Sequence, residues 1–277
     1  MFGSFTTRRN FGNQLFPSRT LGQFGGASSA IAGNFLNAAG ITDPTISTAI
    51  NQLVIDLLNF NILHKFYAIY PFVGGSATSC KFNLINPADT NEAFRLNFVG
   101  GWTFSANGAL PNGTNAYANT FLSPAITFNL NSHSFGIYSR TNNITGVQIV
   151  LGCTDSGFTN FIQNNITVGN LYSGGLSTGF FSYTAAPTTS LIMGTRTSNT
   201  LFKGFRSGVL LGSNTNSISA LPNVNVYLGA RNNNPTPVSF SLHQLAFAFF
   251  GDGLNDQESQ NFNTIIQTFQ TTLSRQV

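Results

Sequence analysis

Charge is scarce in this sequence. Of its 277 residues, 12 are Lys or Arg and 8 are Asp or Glu, 7% in all, where an ordinary soluble domain carries about 25%. Such a chain either buries much of its surface against neighbours or meets water through uncharged polar groups. The net excess of +4 is local, because Arg8, Arg9 and Arg19 precede the first acid, Asp43. The remainder is nearly neutral, which excludes the basic face that nucleic-acid binding requires. Cysteine is scarcer still. Cys80 and Cys153 form no CxxC motif and have no histidine nearby, so two separate buried thiols are expected, with a single disulfide as the lesser alternative. No apolar run reaches the ~18 residues of a membrane-spanning helix. Met1 to Ser18 lacks the unbroken apolar stretch of a signal peptide, so the expectation is synthesis in a cytoplasm and exit by a route such as lysis. Heptads and short-period repeats are absent as well.

The acids are also too dispersed for hydrolytic chemistry. Cleavage of a glycosidic bond usually needs two carboxyl groups about 5–10 Å apart, and on a strand such a pair sits at even spacing. Asp43 and Asp56 fall in or beside a helix, Asp89 and Glu92 near a turn, Asp155 in a glycine turn, and Asp252, Asp256 and Glu258 around the start of the last helix. No catalytic residue is therefore expected, and the chain reads as a non-enzyme without cofactor, with a glycan-cleaving enzyme as the lesser alternative. Asp155 and Asp252 lack the acidic companions that calcium wants. His64, His133 and His243 stand alone, more as packed residues than as zinc ligands or bases, so no metal site is expected.

Phenylalanine and glycine are abundant, with 28 of each. Residues 1–35 read as an extended arm. Its glycines deny it a regular element, and its phenylalanines can insert into grooves of neighbouring chains. Phe2, Phe5, Arg8, Arg9, Phe11, Phe16, Arg19 and Phe24 are the candidate anchoring residues. Residues 36–277 read as one domain. Asp43 caps a helix from Pro44 to about Phe60, with Pro44 at the first helical position and Ile46, Ile50, Leu53 and Leu57 as its apolar stripe. A strand follows over Ile62–Phe72. Alternation at Phe94, Leu96 and Phe98 suggests another, and Ser105–Asn119 reads as a long loop. Further strands are expected near 125–130, 134–139, 146–152, 159–168, 180–184, 190–195 and 201–205, at the spacing of an antiparallel sandwich.

The chain closes with a strand over 225–229, a proline-broken loop over 231–237, and a strand over 241–250 apolar enough to be buried on both faces. After the turn Gly251-Asp252-Gly253 comes a helix capped by Asn255 or Asp256. Glu258 supplies the capping-box partner, and Phe262, Ile265, Ile266, Phe269 and Leu273 recur at helical spacing. This closing segment resembles that of the concanavalin A-like lectin sandwiches of the laminin-G type. More narrowly, the stretch from Gln244 to Glu258 is similar to a version found in virion proteins of tailed bacteriophages, as are Ala109–Thr120 and Ala68–Gly75. The resemblance implies a mainly β, antiparallel sandwich with one helix before it and one after. It further implies a structural component of a virion (decoration, collar, tail or fibre), a homo-oligomer joined to other virion proteins through residues 1–35. A host-surface glycan is a further expected partner. Uncharged sugar sites combine an aromatic face with amides that both donate and accept. The candidate residues are Trp102, Asn112, Asn115, Tyr117 and Asn119, with Asn107 in the same loop. The alternative is that the aromatics pack and the asparagines form turns.

Overall fold

The structure, a computed structural model, describes residues 24–142, 146–164, 168–175, 179–184 and 187–277. Phe2, Phe5, Arg8, Arg9, Phe11, Phe16 and Arg19 lie outside them. The first helix, α1, runs Phe24–Ala39, so the expectation of an extended segment to residue 35 is corrected from Phe24 onward. Gly26 and Gly33 face open space and each weakens the helix by roughly 1 kcal/mol relative to Ala. Burial of Ala32, Phe35, Leu36 and Ala39 on the other side outweighs that. The helix α2 (Pro44–Asn59) follows the sequence reading closely. Asp43 Oδ1 accepts the Ile46 N–H at 2.9 Å, Pro44 fills the first turn, and Ile50, Leu53, Val54 and Leu57 are buried.

A short 3-10 turn at Leu63–Lys65 leads into β1 (Phe66–Tyr70) and the one-turn helix α3 (Ala77–Cys80). Then come β2 (Asn97–Val99), β3 (Trp102–Ser105), β4 (Gly108–Pro111), β5 (Tyr117–Asn119) and the short helix α4 (Pro124–Thr127). The central strands are β6 (His133–Ser139), β7 (Gln148–Asp155), β8 (Phe158–Asn164), β9 (Val168–Gly175), β10 (Phe180–Thr184), β11 (Ser190–Ser198), β12 (Leu201–Arg206) and β13 (Val209–Asn214). The chain ends with β14 (Tyr227–Leu228), β15 (Arg231–Asn233), β16 (Thr236–Val238), β17 (Leu245–Gly251) and α5 (Asp256–Thr272).

Several expectations are revised. The stretch 105–119 is not loop throughout, because β4 and β5 lie in it. The apolar 125–130 begins as helix α4, with Pro124 at a first-turn position that suits its fixed φ. The span 159–168 belongs to two strands, β8 and the start of β9. The proline-broken loop is a β15–β16 hairpin.

The strands form two sheets. In the first the order is β13-β12-β11-β6-β17, and the far side of β17 is shared by β1 and by β4, with β3 beyond β4. In the second it is β10-β9-β8-β7-β14-β5-β2, with β15 paired parallel to β7. All other pairings are antiparallel. The strand β17 explains the layering. Leu245, Ala248 and Phe250 join the core between the sheets, while Phe247 and Phe249 join a second core beneath the helices. There Phe262 of α5 meets Phe249 at 4.7 Å and Phe66 at 4.9 Å between ring centroids, each fully buried ring stabilising by about 2 kcal/mol. Asn255 and Glu258 complete the capping box of α5. Cys80 and Cys153 are both buried and form no disulfide.

Candidate functional site

The helices cover the outer face of the first sheet. On the second sheet, strand alternation decides which residues meet solvent. Leu171, Phe181, Leu228 and Ala118 belong to the inter-sheet core, so their neighbours Tyr172, Phe180, Tyr227 and Asn119 stand on the opposite, outer face. The register carries one row across all seven strands of the path: Phe180, Tyr172, Phe161, Gly152, Tyr227, Asn119 and Asn97. At ~4.8 Å between strands the row is roughly 29 Å long, the length of several sugar rings. Gly152, near its middle, contributes no side chain.

Gly152 is itself buried, and aromatic pairs flank it. Tyr172 stacks on Phe180 with centroids 5.0 Å apart and planes at 17°. On the other side Tyr117, half-buried, stacks on Tyr227 at 4.5 Å and 24°. Amides and a hydroxyl border them: Ser182 Oγ donates to Asn170 Oδ1 at 2.6 Å. Arg231 pairs in register with Gly152, and the next residue, Asn232, is buried with its Nδ2 donating to the Asn225 carbonyl at 2.8 Å. Arg231 therefore points outward. Partial burial holds its guanidinium below the usual arginine range, an effect the Tyr172 phenol opposes. Burial likewise raises Tyr172, with Arg231 acting against it. The two groups thus feel one another across β7 and β8. No carboxylate lies in the row. The nearest along β7, Asp155, accepts from Ser156 Oγ at 2.9 Å and Asn234 Nδ2 at 2.7 Å.

The expected sugar residues divide. Tyr117 and Asn119 reach the open face. Trp102 does not: its Nε1–H donates to the carbonyls of Val99 (3.1 Å) and Tyr117 (3.3 Å), and its ring packs on Phe98 at 5.2 Å. Asn112 Oδ1 accepts the backbone N–H groups of Thr114, Asn115 and Ala116, and its Nδ2 donates to Asn115 Oδ1. Asn115 Oδ1 also accepts the Gly101 N–H. These two asparagines hold the turn between β4 and β5. The Asn107 N–H likewise donates within its own turn, to Ser105 Oγ. Sequence reading missed Tyr172, Phe180, Tyr227 and Arg231, which come together only through the register of long-range pairs. The available signal was the alternation Val226-Tyr227-Leu228 around an aromatic.

The remaining polar groups serve the scaffold. Glu258 pairs with Lys65 at 2.5 Å, Asp256 with Lys203 at 2.8 Å, and Asp89 with both Lys81 (2.5 Å) and Arg95 (3.0 Å). Asp252 accepts from the Tyr67 hydroxyl. A Ser–His contact does occur, with Ser173 Oγ 2.6 Å from His133 Nε2, but Arg196 Nε donates to the same oxygen at 3.2 Å. All three residues are wholly buried between the sheets, out of reach of any substrate. Burial pushes His133 down to about 4, so it is neutral there. Among the described residues no three of His, Cys, Asp and Glu gather as metal ligands.

No family model matches the chain, and no curated protein matches it. Solved structures do. A mutant of Trypanosoma rangeli sialidase displaying trans-sialidase activity aligns with TM-score 0.52 and 13% identity over 73% of this chain and 33% of its own. The T. rangeli sialidase with 2,3-difluorosialic acid gives 0.51 and 13% over 71% and 32%. Domain 4 of an extracellular arabinanase from Geobacillus stearothermophilus, solved with arabinotriose, gives 0.47 and 16% over 72% and 98%. The chain thus spans about a third of the sialidases, and identities this low speak for fold alone. The fold is a mainly β sandwich of two largely antiparallel sheets.

Proposed function

We propose that the chain is a non-catalytic, saccharide-binding display module. The observation that carries this is the outer face of the second sheet, an aromatic and amide row without a carboxylate. Sugar rings stack their C–H faces on aromatic planes and exchange hydrogen bonds with amides. Tyr172 with Phe180 offers one such plane and Tyr117, backed by the buried Tyr227, a second, and Asn97, Asn119, Asn170 and Ser182 supply polar edges. Screening the protein against an array of bacterial surface saccharides tests the reading. Binding that is lost in Tyr117→Ala and Tyr172→Ala supports it, and an array with no bound member sinks it.

The setting we propose is the surface of a tailed-phage particle, as the sequence resemblance implies and the low charge favours. Residues 1–23 would join the chain to other virion proteins, with α1 belonging to the body because Ala32, Phe35 and Leu36 are in its core. Deleting residues 1–23 should leave a folded domain that no longer enters particles. Truncated protein that still co-purifies with particles refutes the anchor.

A further inference from the structure

Away from the second sheet, a cleft opens where the α1–α2 turn, the β1–α3 turn and the end of α5 meet. Its volume is about 550 Å³, within the range of ligand pockets. The partly buried Ile41, Ile46 and Leu273, with the buried Val73, give it an apolar floor. Its border is electronegative. Asp43 is the only ionisable residue among those lining it. The C-terminal ends of α1 and α5 border it too, and neither helix has a basic residue in its last turn. A helix C-terminus carries about half a negative charge, which a cation stabilises. The positive end of α2 lies at the same cleft, but Asp43 already meets it by accepting the Ile46 N–H, and a carboxylate has acceptor sites to spare. Arg275, next to Ser274 in the chain, is buried and turned inward, donating to the carbonyls of Pro71, Phe72 and Ala246. The cleft therefore suits a cation carried beside an apolar group.

The chain itself contains such a segment. Residues 1–23 hold Arg8, Arg9 and Arg19 and no acid, and Phe5, Phe11 and Phe16 each lie within three residues of an arginine. They precede the N-terminal end of α1, while the cleft lies at its other end, roughly 24 Å away for a helix of 16 residues. Fully extended, such a segment spans at most about 80 Å, long enough to leave one body and reach the next. We propose that the cleft receives residues 1–23 of a second copy of this chain, with a phenyl ring on the apolar floor and the adjacent arginine at Asp43 and the helix ends. This rests on the reading of residues 1–23 as an attachment arm and adds where that arm docks. Saccharide binding plays no part in it.

The test uses the full chain with a photoreactive benzophenone side chain replacing the ring of Phe11 or of Phe16. Isotope-labelled and unlabelled protein are mixed and irradiated, and the cross-linked peptides are identified by mass spectrometry. Cross-links are expected between a labelled and an unlabelled copy, on peptides containing Ile41 to Ile46, Val73 to Ser76 or Leu273. Asp43→Asn keeps a side chain that caps helices well and should lower the yield about threefold, as loss of one exposed ion pair does. Thr45→Trp fills the cleft from an exposed position and should lower it roughly tenfold or more, since the phenyl ring loses its burial. Yield should also fall between about 0.05 and 0.5 M salt. Melting temperatures close to that of wild type separate lost docking from lost fold. Cross-links confined to single copies, cross-links mapping elsewhere, no cross-link at all, or full yield in Thr45→Trp would each overturn the inference. If cross-links map elsewhere while deletion of residues 1–23 still keeps the chain out of particles, the attachment reading stands and only this docking site fails. If the deleted form enters particles, that reading fails and this inference with it.

Discussion

Tyr117 lies flat on Tyr227, ring centroids 4.5 Å apart, although 110 residues of chain separate them. The register that joins them, Tyr227 opposite Asn119 and Tyr117 opposite Val99, is the same register that lines up the rest of the outer row. Tyr227 is buried in this arrangement, and the half-buried Tyr117 presents the more accessible ring.

Replacing Tyr117 with alanine should therefore cost more in binding than in folding. Such aromatic pairs contribute about 1 kcal/mol beyond their buried area, a small loss for a domain of this size. Saccharide affinity should fall about tenfold, equivalent to 1.4 kcal/mol. Calorimetric titration beside a melting curve measures both, and an unchanged affinity would remove Tyr117 from the site.

Trp102 should behave in the opposite way. Its indole N–H serves two backbone carbonyls and its ring sits within 3.0 Å of where a Cβ on Gly229 would lie. Trp102→Ala should destabilise the domain by about 3 kcal/mol. Trp102→Phe should cost about 1–2 kcal/mol for the carbonyls it leaves unserved while binding saccharide as wild type does. Denaturant titration gives the first quantity, and a clear affinity loss in the folded phenylalanine variant would restore Trp102 to the recognition surface.

His133 sets an acid limit on stability. Burial holds it at about 4 against its ordinary 6.5, so between those values the unfolded chain takes up a proton that the folded chain refuses. Stability then falls as pH drops from about 6.5 to about 4, by up to about 3 kcal/mol. Asp89, lowered by its bond to Lys81, lets go only below its ordinary 3.8, outside this window. Urea midpoints at pH 7 and 4.5 should fall further apart in wild type than in His133→Gln. Identical shifts in the two proteins would show that His133 is not the titrating group.

The cap of α5 is the simplest local test. Asn255 Oδ1 accepts the Glu258 N–H at 2.9 Å, and Glu258 answers by accepting the Asn255 N–H at 2.9 Å. Asn255→Ala should cost about 1 kcal/mol, a melting-temperature drop of about 2–4 °C for a domain of this length. No measurable drop would mean that packing of Phe262 and Ile266 alone holds the helix start.

These cases show what could be read in advance. The caps at Asp43 and Asn255 and the two-sided burial of β17 are local patterns, and the sequence displays them openly. The helix α1 was hidden because its glycines oppose a helix and only contact with the rest of the helical layer, through Ala32, Phe35 and Leu36, favours one. The stretch 105–119 looked like loop because β4 and β5 are short and are held by distant partners, Leu245 and Tyr227. The site divides the same way. Tyr117 and Asn119 were singled out by residue type, and the strand alternation puts both on the outer face. Tyr172, Phe180, Tyr227 and Arg231 share a face only through pairings set by the whole sheet.

The central claim is that the outer face of the second sheet is the recognition surface. Amide chemical-shift mapping of the isotope-labelled domain with a bound saccharide tests it most directly. The account predicts perturbations centred on Gly152, Tyr172, Tyr227, Asn119 and Asn97, with little change in α2 and α5. Perturbations confined to the 112–116 turn or to the helical layer would contradict it.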